Sequence, residues 1–163
     1  TRAELKDSFD IGGVRIEPFS ISHDAVDPVG LTFYHKDFKY VVATDFGTAT
    51  KSVEDALAYA DALVLESNHD IQMLDKGPYP YFLKRRIRSE TGHLSNDDAA
   101  RLLARIPRRK SMDVLLAHLS QQNNHPEIAK RTVADYLTSQ GCEVGREITL
   151  HLTYQDNMTG IEK

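Results

Sequence analysis

Two periodicities alternate along this chain. Val14 and Ile16 stand against Arg15 and Glu17, and Ile148, Leu150, Leu152 and Tyr154 stand against Thr149, His151 and Thr153. That period of two belongs to strands with one buried face. Tyr40 to Ala43, Ala62 to Leu65 and Val114 to Ala117 are short apolar runs, which suit buried strands. Elsewhere apolar residues recur three and four apart, as in Val53, Ala56, Leu57 and Ala60, in Ala99, Leu102, Leu103 and Ile106, and in Ala129, Val133, Tyr136 and Leu137. Each of those sets forms one apolar stripe on a helix.

The punctuation between these runs predicts the element order. Two short strands in Phe9 to Ile21 turn at Gly12-Gly13, and a hairpin of Leu31 to His35 with Lys39 to Ala43 turns at Lys36-Asp37. A capping box of Ser52 with Asp55 starts a helix that leads to the strand Ala62 to Leu65. Ser67 to Ser95 is read as irregular, broken by Gly77-Pro78 and Pro80, with one short basic helix from Tyr81 to Arg88. Ser95 with Asp98 caps the next helix, Met112 to Ala117 is a strand, and His125-Pro126 opens a helix that stops at Gly141. Arg146 to Tyr154 is the last strand, with His151 on its outward face.

A strand, a helix and a strand in succession make a crossover between parallel strands, whose ligand sites lie at their carboxyl ends. Those ends carry polar groups. Tyr40 to Ala43 runs into Asp45 and Gly47, Ala62 to Leu65 into Glu66-Ser67-Asn68-His69, and Val114 to Ala117 into His118, while Ile16 to Ile21 leads into Ser22-His23-Asp24. An apolar strand cannot continue into an unpaired carboxylate, so the chain must leave the sheet at Asp45, and Gly47 is read as permitting that turn. Asp45 either caps a turn or serves a site. Four such ends predict a single site, with Asp45 and Glu66 as neighbours. His93 lies beside a helix N-terminus, which offers amide donors and a positive dipole to an anion, and packing or capping is its alternative role.

Composition narrows the chemistry. The 163 residues suffice for one domain with a real core, and 40% apolar with 27% charged residues is a globular balance. The one cysteine, Cys142, excludes an internal disulfide and thiolate-rich zinc sites, so any metal must be held by histidine and carboxylate. No apolar run reaches the ~20 residues of a membrane span, and the start shows no export signal, so the expected location is the cytoplasm. A net charge of −4 argues against a uniformly basic nucleic-acid binder. Two local basic clusters remain, Lys84, Arg85, Arg86 and Arg88, and Arg105, Arg108, Arg109 and Lys110. Lys84, Arg85 and Arg88 share one helix face that can meet phosphates or simply be solvated.

Collected in order, the motifs Ser22-His23-Asp24-Ala25 with Asp27-Pro28, Ala43-Thr44-Asp45-Phe46-Gly47, Leu65-Glu66-Ser67-Asn68-His69-Asp70, Gly77-Pro78-Tyr79-Pro80, Gly92-His93-Leu94-Ser95-Asn96 and Ala117-His118-Leu119-Ser120 with Asn123-Asn124 resemble the metallo-β-lactamase superfamily. The resemblance is to its YycJ/WalJ branch of bacterial metal-dependent nucleases. It implies the second half of an αββα sandwich, a mixed β-sheet flanked by helices, with residues 1–163 as a single domain. It also implies that His23 and His118 are ligands of two divalent ions (zinc, manganese or iron), that Asp45 bridges them, and that Glu66 and His93 are a supporting catalytic pair. The implied reaction is phosphodiester hydrolysis on DNA by a hydroxide activated between two ions, with Lys84, Arg85 and Arg88 on the nucleic-acid backbone.

The superfamily's first metal motif, His-x-His-x-Asp-His, does not occur among the seven histidines. The chain is therefore expected to lack the N-terminal half of the fold and to be inactive alone. Two other functions stay open: hydrolysis of RNA or a small ester on the same fold, and a non-catalytic module whose basic helix docks an acidic partner.

Overall fold

The structure, a computed structural model, describes residues 7–109 and 111–161; Lys110 of the second basic cluster lies outside them. Seven strands form one mixed sheet in chain order: β1 (Phe9–Ile11), β2 (Val14–Ser20), β3 (Val29–His35), β4 (Phe38–Ala43), β5 (Ala62–Glu66), β6 (Met112–Ala117) and β7 (Ile148–Leu152). The first four pair antiparallel and the last four parallel. Gly12 and Gly13, both with positive φ, make the first hairpin turn, and Lys36 makes the second with φ 53°.

Among the described residues five helices fill the crossovers. α1 (Lys51–Leu57) joins β4 to β5; α2 (Ile71–Lys76), α3 (Tyr81–Ile87) and α4 (Asn96–Arg105) join β5 to β6; α5 (Pro126–Ser139) joins β6 to β7. α1, α4 and α5 share one core with the sheet, on the side that right-handed crossovers between successive neighbouring strands dictate. The burial pattern agrees. Val41, Leu63, Val114 and Leu150 lie in register on one face and are buried, with Val53, Leu57, Leu102, Leu103, Val133 and Leu137 in the same core. One residue out of step, Leu31, Val42, Val64 and Leu115 line the opposite face and are only half-buried.

Three local expectations change. Thr50, not Ser52, caps α1, its Oγ1 accepting from the Val53 N–H at 3.4 Å, while Asp55 pairs with Lys51 at 2.6 Å. The stretch read as irregular contains α2, started by Asp70, whose Oδ1 accepts from the Met73 N–H at 2.8 Å. A six-residue helix shows barely two turns, too few for a periodic stripe. The last strand is shorter than its alternation suggests, and Tyr154 stands half exposed beyond it. His151 lies on the face away from the helices, where its Nε2 meets Asp113 at 2.8 Å. Among the described residues no helix is long and apolar enough to cross a membrane.

Candidate metal centre

The parallel strands deliver their polar ends to one edge of the sheet. β4 ends two residues before Asp45, β5 ends on Glu66, and β6 ends one residue before His118. Asp45 and His118 both adopt left-handed backbone, with φ 63° and 56°. Such conformations cost about 1 kcal/mol or more in a non-glycine residue and persist only where neighbours impose them. At His118 the imposing neighbour is Asn68, whose Nδ2 donates to the His118 carbonyl at 2.9 Å and whose own carbonyl accepts from the Ser120 N–H at 2.8 Å.

Gly47 does not make the turn after β4, since its φ is not positive; Asp45 itself does. The glycine is needed for close approach. A Cβ at Gly47 would lie 2.1 Å from the Ser89 carbonyl oxygen and 2.7 Å from the Gly92 nitrogen. Through that contact the loop 89–93 crosses the β4 end, and it also receives the β2 end. Ser22 Oγ donates to the Glu90 carbonyl at 2.8 Å, and the Asp24 N–H donates to the Thr91 carbonyl at 3.2 Å. His23 and His93 thereby come to the edge already occupied by Asp45, Glu66 and His118.

The side chains converge. His23 Nε2 and His118 Nε2 lie 3.9 and 3.7 Å from the same Asp45 oxygen. The His23 and His93 rings are 5.2 Å apart, centroid to centroid, and the His93 and His118 rings 5.1 Å. Glu66 is fully buried beneath them, and its Oε1 meets His93 Nδ1 at 2.7 Å and His118 Nδ1 at 2.9 Å. The Phe46 N–H donates to its other oxygen at 2.9 Å. Burial works to raise the Glu66 pKa, but the hydrogen bonds from His118, His93 and Phe46 outweigh it and hold the carboxyl below its usual range. The hydrogen bond to Glu66 raises the His118 pKa, against burial.

This donor set fits divalent ions. His23 Nδ1 sits 3.1 and 3.2 Å from the Thr91 and Gly92 carbonyls, which can only accept, so Nδ1 carries the proton and the lone pair of Nε2 faces Asp45. Glu66 accepts from His93 and His118 in the same way, the outer-shell arrangement that fixes a ligating imidazole. Among the described residues two overlapping groups bring one ligand atom from each member within 4.8 Å of the others: His23, Asp45 and His93, and Glu66, His93 and His118.

All five residues singled out for catalysis and metal therefore meet at one place. The basic set is less uniform. Lys84 Nζ donates to the Asp75 and Gly77 carbonyls, both at 2.8 Å, and Arg88 pairs with the Asp75 carboxylate, so both brace α3 against α2. Arg85 is exposed and sits over the Tyr81 ring at 6.0 Å. The second cluster is engaged at the surface as well, Arg105 with Glu54 at 2.7 Å and Arg109 over Tyr59 at 5.4 Å.

Sequence reasoning missed the buried amides behind the site. Asn124 Nδ2 donates to the Ser67 and Asn68 carbonyls and to Asn96 Oδ1, at 2.8, 3.0 and 2.9 Å, and Ser67 Oγ donates to Asn96 Oδ1 at 2.6 Å. This network ties the β5 end to the starts of α4 and α5. Its signal in the sequence is Ser67-Asn68 directly after β5, with Asn96 and Asn124 at or just before the starts of α4 and α5.

The family model described as the beta-lactamase superfamily domain matches residues 1–119. The exodeoxyribonuclease YycJ of Bacillus anthracis is 38% identical over 142 residues, 87% of this chain and 54% of that protein. The exodeoxyribonuclease WalJ of Streptococcus pneumoniae is 36% identical over 148 residues, 91% of this chain and 55% of that protein. The chain thus spans about half the length of these relatives. Among solved structures, the metallo-beta-lactamase fold protein YhfI from Bacillus subtilis superposes with a TM-score of 0.64 at 14% identity, over 93% of this chain and 51% of that one. With the mixed sheet, the histidine and carboxylate edge and these likenesses together, the chain belongs to the metallo-β-lactamase superfamily, in its YycJ/WalJ branch.

Proposed function

We propose that residues 1–163 are a single-domain C-terminal portion of a metal-dependent phosphodiesterase, and that the full-length protein acts on DNA as an exonuclease. The observation that carries this reading is the convergence of His23, Asp45, Glu66, His93 and His118 at the carboxyl edge of the parallel strands. The half-buried apolar face of Leu31, Val42, Val64 and Leu115 supports an N-terminal half of the same fold as its covering layer. That both relatives are exodeoxyribonucleases supports the substrate.

In this reading His23, Asp45 and His118 hold two divalent ions, of zinc, manganese or iron, with the remaining ligands supplied from the N-terminal half. Bound there, the ions would neutralise phosphodiester charge and supply a nucleophile at neutral pH. Glu66 fixes the protonated Nδ1 of His93, so that Nε2 faces the departing oxygen and can deliver a proton to it. Lys84, Arg85 and Arg88 give α3 the positive potential that draws the phosphate backbone towards this edge.

Three substitutions in the full-length protein test these roles. His93→Ala is expected to lower turnover by about 10²- to 10⁴-fold with both ions retained, the usual scale of general acid catalysis. Asp45→Ala and His118→Ala are expected to lose metal and activity together. Elemental analysis reports the ions, and loss of an ion from His93→Ala would make His93 a ligand instead.

A further inference from the structure

The end of the sheet opposite the candidate metal centre carries charge that the proposed reaction does not use. Lys39 is half-buried at the start of β4, in register with Tyr34 on the face that packs on the helices. By the rise of a strand it stands about 20 Å from Asp45. Beside it opens a cleft of about 270 Å³ whose lining includes Tyr34, Lys36, Asp37, Lys39, Tyr59 and Arg109.

Contacts between distant segments build this cleft. The Tyr59 N–H donates to the Pro107 carbonyl at 2.8 Å, which joins the end of α1 to the segment after α4, and Arg109 lies over the Tyr59 ring at 5.4 Å. Tyr59 takes left-handed backbone there, with φ 59°, an outlier for a bulky residue that persists where its surroundings impose it. From β4, Lys39 Nζ lies over the Tyr34 ring at 5.9 Å and donates to the Ala58 carbonyl at 2.7 Å. That bond caps the end of α1 and leaves two of the three ammonium protons for another acceptor.

Capping accounts for one cation and not for three. Among the described residues Lys36, Lys39 and Arg109 meet no carboxylate within 4 Å. Glu17 is already paired with Arg15 at 2.7 Å, and the Asp61 carboxylate takes the Lys39 backbone N–H at 2.8 Å. The lining thus holds three cations against the one carboxylate of Asp37, an excess of two positive charges. Burial and the charge of Arg109 lower the Lys39 pKa, so the two cations are held together at a cost that an anion between them would remove. Two excess charges match a dianion. A phosphomonoester carries about −1.5 to −2 near neutral pH, whereas a diester linkage or a carboxylate carries a single charge. Arg109 donates no hydrogen bond to a described residue, so its planar fork is open to two oxygens of one phosphate.

We propose that Lys39 and Arg109, with Lys36 at the hairpin turn, form a second anion site that binds the phosphate of a small phosphomonoester. The site is separate from the candidate metal centre and does not depend on the phosphodiesterase reading. Inorganic phosphate and a nucleoside monophosphate share this chemistry.

Calorimetric titration of the full-length protein tests the site, in EDTA to empty the metal centre and in low-salt buffer free of phosphate. The probes are inorganic phosphate, thymidine 5′-monophosphate, thymidine, and a thymidine dinucleotide with one diester linkage and no terminal phosphate. The monophosphate is expected to bind at one site, and thymidine and the diester at least about 10-fold more weakly. Arg109→Ala and Lys39→Met are each expected to weaken monophosphate binding by about 10- to 100-fold, the scale of a hydrogen bond to a charged group. Arg109 is exposed and outside every helix and strand, so its variant carries the test if Lys39→Met, which also loses the α1 cap, fails to fold. Tighter binding of the nucleotide than of inorganic phosphate assigns a nucleotide as the source, equal or weaker binding assigns the free ion, and either supports the proposal. No monophosphate binding, equal binding of the diester, or unchanged binding by Arg109→Ala overturns it. Loss of binding in Arg85→Ala with Arg109→Ala unaffected would place the anion on α3 and overturns it as well.

Discussion

His69 is 2% exposed, and its Nδ1 meets no partner within hydrogen-bonding distance. Burial, aided by the charge of Arg88, pushes its pKa down from 6.5 to about 4. An unfolded chain takes up this proton at pH 6.5 and the folded chain does not, so between those values the unfolded state binds more protons and stability rises with pH. The contribution is complete above about pH 6.5 and is lost as pH falls towards 4, to a total of about 3 kcal/mol. Urea midpoints between pH 7.5 and 4.5 should therefore fall more steeply for the wild-type protein than for His69→Gln. Parallel curves would mean that His69 titrates normally. Single residues were legible in the sequence where chemistry is written in their type, as for the strand-end Asp45 and His118. Gly47 was legible as a constraint but not as the right one, because its neighbour across the gap is 42 residues away.

At the scale of elements, the site depends on loops that buried amides hold. Asn124 bonds the Ser67 and Asn68 carbonyls and Asn96, and an alanine there takes this donor from the buried Ser67 carbonyl and the Oδ1 acceptor from Asn96 Nδ2. Asn124→Ala is expected to cost about 2 to 4 kcal/mol in denaturant unfolding, and a loss under 1 kcal/mol would show that water replaces the amide. The basic helix makes a different prediction. Each phosphate contact released on substitution lowers the slope of log K against log salt by about one. Arg85→Ala in the full-length protein should flatten the slope for DNA by about one, and the triple replacement of Lys84, Arg85 and Arg88 by more. Lys84→Ala should also lower the thermal midpoint, because Lys84 ties α3 to the end of α2. An unchanged slope in all of these variants reduces the face to solvated surface.

For the molecule as a whole, the decisive quantity is the number of ligands. In the proposed reading His23, Asp45 and His118 are three side chains for two ions, and a catalytic zinc site takes about three protein ligands for one ion alone. The 163-residue chain alone is expected to bind zinc or manganese weakly or not at all by calorimetry, and the full-length protein to bind two ions. Tight binding of two ions by the chain alone would contradict the ligand assignment. The same measurement bears on the sheet face of Leu31, Val42, Val64 and Leu115, whose covering should accompany completion of the site.

The sequence by itself determined the element order except for α2, the crossover from β4 to β5, the strand ends that carry His23, Asp45, Glu66 and His118, and the helix starts at Ser95 and His125. These follow from periodicity and from capping chemistry within a few residues, so local physics suffices. Only the tertiary structure decided that one Glu66 oxygen serves both His93 and His118, that Asp45 and His118 take left-handed backbone, and that Asn68 and Asn124 hold the loops behind them. Those contacts join residues 27 to 57 positions apart. They exist because sheet register brings separate strand ends to one edge, and register is a property of paired strands that no single stretch of chain contains.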